Sequence, residues 1–271
     1  GNDEVATNAQ KIVDVIQREK IEKQPLLYDL TELQKDANKR FKYSADQTLK
    51  LMQSLYERHK ILTYPRTSSR YLSTDLLPKL PELVALFSDI GEFGPLVSKI
   101  QTLGSVIAKR MIDDKKVTDH HAIIPTDKKP LLRDLSKEEL NVYELVIKRF
   151  LATFLPECIK DQTDIITQFG DHSFKTTGII LRVAGWREAY LSLEELEEDK
   201  DSDEGTMLPA VKKGDAVVLE DCRLEEGQTK APALFTEASI LSAMETAGKQ
   251  CEDEDARQAM KECGLGTPAT R

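Results

Sequence analysis

Tyr64-Pro65-Arg66 carries two groups that suit one chemistry: a phenol oxygen as nucleophile and a guanidinium that holds a phosphate bidentately. A phenol ionises near pH 10, so at neutral pH it needs a fixed cation beside it. The residues around it, Ile61-Leu62-Thr63 before and Thr67-Ser68-Ser69-Arg70 after, deliver the tyrosine from a short β-branched run into a proline turn. Taken alone, the same segment also reads as a structural tyrosine at a strand end. A second segment, Val117-Thr118-Asp119-His120-His121-Ala122-Ile123-Ile124-Pro125-Thr126, holds two of the four histidines side by side. Adjacent histidines rarely share one metal, so these read either as exposed side chains or as donors to a phosphate. A third, Gly264-Leu265-Gly266-Thr267-Pro268-Ala269-Thr270-Arg271, is a glycine turn leading into a helix start. Free N–H groups there favour an anion, although an ordinary helix linker has the same look.

The elements that must position these residues are set by periodicity. Residues 12–16 fit a strand or a short helix, and Pro25 breaks the chain after them. Asp29 with Glu32 has capping-box spacing before a helix through Leu33, Ala37 and Phe41. Ser44 with Gln47 starts a second, with Ala45, Leu49, Met52 and Tyr56 expected on one face and an end before Pro65. Ser136 with Glu139 starts a third, through Tyr143, Val146 and Phe150. After Pro156 the period becomes two: 163–169 and 174–180 alternate about a Gly170-Asp171 turn, which predicts a hairpin. Residues 186–193 and 216–219 are expected to add strands. Thr236 then caps a helix stopping at Gly248, another runs to Cys263, and Thr267-Pro268 starts one more.

Composition bounds the function. At 271 residues and 40% hydrophobic content the chain holds about one to three domains with ordinary cores. No apolar run approaches the roughly 20 residues of a membrane span. The net charge of −9 opposes a simple basic DNA-binding module. It leaves room for local basic clusters: Arg58-His59-Lys60 with Arg66 and Arg70, and Lys109-Arg110 with Lys115-Lys116. The four cysteines, at 158, 222, 251 and 263, form no C-x-x-C pair, which points to reduced thiols in a cytoplasmic protein rather than a zinc ribbon. The acidic stretches 194–204 and 252–255 read as solvated, and no metal ligands are assigned.

Together the motifs resemble the type IA DNA topoisomerases of the bacterial topoisomerase III kind. Tyr-Pro-Arg-Thr-x-Ser-Arg at 64–70, His-His-Ala-Ile-Ile-Pro-Thr at 120–126 and Gly-Leu-Gly-Thr-Pro-Ala-Thr-Arg at 264–271 occur in that family's order. Residues 27–34 resemble its entry into a helical domain, and 229–232 with 236–239 its return path. The resemblance implies catalysis by Tyr64 through a 5′-phosphotyrosyl bond to single-stranded DNA, with Arg66 stabilising the phosphate. It places His120 at the scissile region, leaves His121 as an alternative, and puts Arg70, Thr267 and Arg271 in contact with DNA. It also implies strand passage without ATP. Two positions depart from the pattern. Ser68 replaces the usual Asp, which puts that carboxylate's role in doubt, and Ala231 replaces a Pro in what resembles a hinge.

The fold expected from the resemblance is multi-domain α and β. A β-rich arch domain (1–24 and 157–233) encloses a mainly helical, winged-helix-like domain (25–156) bearing Tyr64, and 234–271 begins a further helical DNA-binding domain. The family's magnesium-binding Toprim domain is not recognisable in this sequence. Magnesium and that domain are therefore expected as cofactor and partner from elsewhere in a full-length chain, and these residues alone as inactive. A non-catalytic single-strand-binding module of the same fold and a topoisomerase I relative are the rival readings.

Overall fold

The computed structural model describes residues 10–117, 119–190, 208–221, 223, 225–251, 253–260, 264–267 and 270. The acidic stretch 194–204, Cys263, the Pro268 helix start and Arg271 lie outside the described residues. Two compact units are formed, one from residues 1–23 and 157–232, the other from 24–156 and 233–271.

The first unit is a three-stranded antiparallel sheet ordered β1-β2-β3, with β1 Lys11–Glu22, β2 Cys158–Phe169 and β3 His172–Val183. The ambiguous N-terminal segment is thus a strand, pairing Val15 with Ile165 and Glu22 with Cys158. The expected hairpin forms: Phe169 faces His172 across Gly170-Asp171, and Gly170 takes the left-handed φ of 57° that glycine adopts without strain. The more buried face of β2 is polar. Lys160, Gln162 and Asp164 point inward, and Asp164 accepts from Gln162 (2.9 Å) and Thr177 (2.8 Å) and pairs with Lys175 (3.0 Å). Those three partners hold its carboxyl at about 2.

Neither expected strand forms among the described residues, and 191–193 of the first lie outside them. Gly185–Ala189 is a 3-10 turn, because the Trp186 indole donates to Glu22 O (2.9 Å) and Arg187 binds the Glu22 carboxylate (3.0 Å), drawing the chain back onto the end of β1. Ala216 makes one isolated bridge, to Lys11. Around it Ile12 N bonds Asp215 O (2.9 Å), Gly214 N bonds Ile12 O (2.8 Å) and Val217 N bonds Gln10 O (3.1 Å).

The second unit is helical. It contains α1 Leu30–Phe41, α2 Ala45–Gln53, α3 Leu80–Ala85, α4 Phe93–Thr102, α5 Lys137–Ala152, α6 Glu237–Glu245 and α7 Glu254–Ala259. The caps are those expected: Asp29 accepts from Glu32 N, Ser44 from Gln47 N, Thr236 from Ser239 N, and Ser136 with Glu139 closes a full capping box. Helix α1 packs against α2, α5 and α6. The core between them includes Leu30, Leu33, Met52, Leu55, Tyr143, Val146 and Phe150. Arg149 crosses this core, lying 3.9 Å over the Tyr28 ring and donating to Asp36 (2.8 Å) and Leu26 O (2.9 Å).

The expected face of α2 needs correction. The buried positions are Thr48, Met52 and Leu55, while Tyr56 is 36% exposed. Thr48 can be buried because its hydroxyl donates to Ser44 O (2.9 Å). Beyond Gln53 the helix widens into a π turn, Ser54–Arg58, with His59 N bonded to Ser54 O (3.0 Å).

Asp29 yields a test of how this unit is held. Burial pushes its carboxyl up to about 6, against the opposing pull of the Glu32 amide and Arg70. The folded protein therefore binds this proton at higher pH than the unfolded chain, whose value is about 3.9. Asp29's contribution is fully present below about pH 4 and lost as pH rises through about 6. Asn caps a helix equally well. Asp29→Asn should match the parent near pH 4 and exceed it by up to about 3 kcal/mol near pH 7. Urea unfolding followed by helix circular dichroism checks this; a variant less stable than the parent at neutral pH would refute it.

Candidate nucleic-acid cleavage site

Three of the segments singled out in the sequence meet in the helical unit through their backbones. The Tyr64 segment runs antiparallel to residues 123–126: Thr63 N bonds Ile124 O (3.0 Å), Thr126 N bonds Ile61 O (3.1 Å), and Leu62 bridges Pro125. The Thr63 hydroxyl accepts from Ile124 N (3.0 Å), closing the same rung from the side chain. The chain entering α1 pairs with both, through Ile123 N to Tyr28 O (2.8 Å) and Leu30 N to Thr67 O (3.2 Å). β-branched residues supply the extended backbone, and Pro65 ends the run after Tyr64.

This ladder brings His120 to Tyr64. Their ring centroids are 4.3 Å apart at an interplanar angle of 38°. On another side stands Tyr56, edge-on at 5.5 Å and 82°. Tyr64 is half-buried between rings, while Arg66 and His120 are exposed. Thr67, 3% exposed, ties the arrangement together: its hydroxyl donates to His120 O (3.1 Å) and accepts from Ser69 N (3.0 Å). His121 turns elsewhere. Its Nδ1 sits 2.7 Å from Ala122 O, and its ring lines a separate cleft with Thr63, Leu83 and Ile124.

Arg70 is engaged structurally. Its Nε donates to Leu27 O (3.1 Å) and its Nη2 lies 3.7 Å from Glu32. Glu32 also binds Lys35, which reaches Glu245 at the end of α6 (3.1 Å). The glycine turn abuts that end. Leu265 N bonds Met244 O (2.8 Å), and Gly264 has φ 61° with a would-be Cβ only 2.4 Å from Met244 O. Thr267 is exposed and pairs with Thr270, whose N–H bonds Thr267 O (2.9 Å), so the turn closes as a cap would. Ser68, where the family resemblance expects Asp, is exposed.

Sequence reasoning missed the support behind Tyr56. Glu139, the inner residue of the α5 capping box, accepts from Ser136 N (2.8 Å) and from the Ser54 hydroxyl (2.6 Å), and stands 3.3 Å from His59 Nε2. Burial pushes its carboxyl up, but Ser54, the Ser136 amide and His59 outweigh it and hold it below the usual range. The capping box is visible in sequence; that its glutamate also clamps the π turn carrying Tyr56 has no local signal. Among the described residues no three of His, Cys, Asp and Glu converge as a metal site.

With this geometry in view, similarity to known proteins defines the class. A family model described as DNA topoisomerase matches residues 2–271, and the chain belongs to that family. It is 42% identical over 263 residues to DNA topoisomerase 3 of Bacillus cereus (strain ZK / E33L), covering 96% of this chain and 36% of that protein. To DNA topoisomerase 3 of Bacillus subtilis (strain 168) it is 43% identical over 250 residues, covering 91% and 34%. The chain thus spans about a third of the length of these relatives. Its fold is similar to full-length topoisomerase I from Thermotoga maritima, with TM-score 0.63 and 20% identity over 97% of this chain and 39% of that one.

Thr67 offers a direct check on the ladder. Thr67→Val keeps the shape but leaves His120 O and Ser69 N without their partner, at a cost of about 1–3 kcal/mol. Thr67→Ser should recover most of that loss. Denaturant midpoints of the three proteins decide it; equal midpoints for Val and the parent would remove Thr67 as the tie.

Proposed function

We propose that this chain is the strand-cleaving part of a type IA, topoisomerase III-like enzyme, with Tyr64 as nucleophile toward single-stranded DNA. The observation that carries the reading is the backbone ladder that seats the Tyr64 phenol against His120 in a chain of the DNA topoisomerase family. In the reaction proposed, Tyr64 Oη loses its proton and attacks a backbone phosphorus. The P–O3′ bond breaks, the 3′ oxygen takes up a proton, and the 5′ phosphate stays joined to Tyr64. One phosphoester replaces another, so resealing by reversal needs no ATP. Arg66, exposed two residues on, donates to the phosphate oxygens as charge builds on them. His120, exposed beside the phenol, donates to the same phosphate.

The sheet unit is read as part of the β-rich arch and the helical unit as the winged-helix-like nucleophile domain. Thr267 and Arg271 are read as the start of a single-strand groove, Arg70 as a further DNA contact, and His121 as the alternative to His120. Magnesium is read as bound by a Toprim domain of the same full-length protein, where it would supply charge near the phosphate; no residue described in this chain is assigned to it. The working protein is read as cytoplasmic.

The test uses this chain supplemented with a separately expressed Toprim segment, and labelled single-stranded DNA trapped by denaturation. The parent should form a covalent adduct. Tyr64→Phe should form none while keeping single-strand binding, because it loses one hydroxyl and no ring. Arg66→Ala should slow adduct formation by about 10²–10³-fold, the loss seen when one oxyanion donor is removed. An adduct persisting in Tyr64→Phe would move the nucleophile elsewhere, and DNA binding without any adduct in the parent would favour the non-catalytic module.

A further inference from the structure

The ladder that seats Tyr64 at one end carries a basic cleft at the other. It runs on from Thr63 and Ile124 through Ile61 and Thr126 to His59 and Lys128, where Lys128 Nζ donates to His59 O (2.9 Å). Lys60 takes the left-handed φ of 56°, and its carbonyl accepts from the Thr126 hydroxyl (2.7 Å), which fixes the bend at this end. The cleft there encloses about 450 Å³. Arg58, Lys128 and Lys129 line it against one carboxylate, Asp134, with Ile61 and Leu131 as apolar surface.

That charge balance runs against the chain as a whole, whose net charge is −9. It also differs from the two other clefts described in this unit. One is apolar, with Leu77, Leu80 and a single Lys109; the other balances Lys79 with Glu82 and Asp127. Lys129 is shared with Asp89 (2.5 Å), a pair whose members are both about 60% exposed, so solvent screens it. Arg58 is exposed and makes no ion pair among the described residues. Leu131 is 57% exposed, an apolar side chain beside the cations. Exposed cations in excess of carboxylates suit the phosphate backbone of a nucleic-acid strand.

We infer that this cleft is a second grip on the single strand engaged at Tyr64, binding its phosphate backbone through Arg58 and Lys128. The inference rests on the reading that Tyr64 faces single-stranded DNA. Five residues separate Tyr64 from His59, bent at Lys60 and extended from Ile61 onward, so the two lie at most about 17 Å apart at 3.3 Å per residue. A stacked strand covers that in about five nucleotides at 3.4 Å apiece. The same rigid segment would thus hold the strand at the break and a few nucleotides away, so both contacts move together.

The experiment measures binding of this chain carrying Tyr64→Phe, which removes the chemistry. The probes are a thymidine dinucleotide too short to reach the cleft and a longer oligothymidylate that spans it, each titrated across salt. For the longer probe, Arg58→Ala and Lys128→Ala should each weaken binding and lower the salt slope by about 1. Arg58→Lys should keep the slope, and the dinucleotide should bind all these variants as it binds the parent. Lys79→Ala and Lys109→Ala, in the other clefts, should change neither probe. Unchanged slopes in Arg58→Ala and Lys128→Ala overturn the inference, as do equal losses in the two control variants. Failure of the Tyr64 reading shows differently, as a missing covalent adduct in the supplemented enzyme while these slopes still fall.

Discussion

The backbone pairing between residues 61–72 and 112–126 is the constraint on which the candidate site depends. Tyr64 and His120 are 56 positions apart in sequence, and neither belongs to a long helix or a full strand. What brings their rings to 4.3 Å is a run of main-chain bonds continued by Ala122 N to Tyr71 O (2.9 Å) and Asp113 N to Leu72 O (3.1 Å). Buried backbone polar groups must find partners, and here they find them in one another. A loop built this way has the precision of a sheet without being one.

Charge supports that frame from behind. Arg70, Glu32, Lys35 and Glu245 form a relay from the Tyr64 loop across the start of α1 to the end of α6. Each pair is partly exposed and individually weak. Their value is positional: they fix α6 against α1, and the tight turn at Gly264 rests on the last carbonyls of α6. Arg149 acts similarly inside the core, spanning Tyr28, Asp36 and Leu26 O, so the strand entering α1 is anchored from both sides.

Much of this is legible in the residues because it is local. A cap needs one side chain and the amide three positions on, so Asp29, Ser44, Ser136 and Thr236 can be read directly. The hairpin at Gly170 is equally local. What escapes is decided by partners distant in sequence. Trp186 has the composition of a strand residue, yet the carbonyl of Glu22 turns it into a 3-10 segment. Thr48 looks polar until its hydroxyl is turned back onto Ser44, and so periodicity places the buried stripe of α2 one position off. At the candidate site, residue types nominate Tyr64, Arg66 and His120, and geometry separates His120, against the phenol, from His121, which faces another cleft. Helical periodicity puts Tyr56 on the core face because it assumes a constant turn.

That turn is not constant. Between Ser54 and Arg58 the helix accommodates an extra residue per turn, and Glu139 holds it open through the Ser54 hydroxyl. In an α-helix one residue advances the chain by about 100° and 1.5 Å. The distance from Met52, fixed in the core, to Tyr64 is therefore metered by residue count. Shortening this stretch by one residue would tighten the coil and swing Tyr56 to a different face, leaving the phenol without its edge-on neighbour though every side chain named at the site remained. Substitution and deletion would then be unequal insults here. A change of length shifts every later residue of the segment at once, whereas a substitution at an exposed position such as Glu57 shifts none.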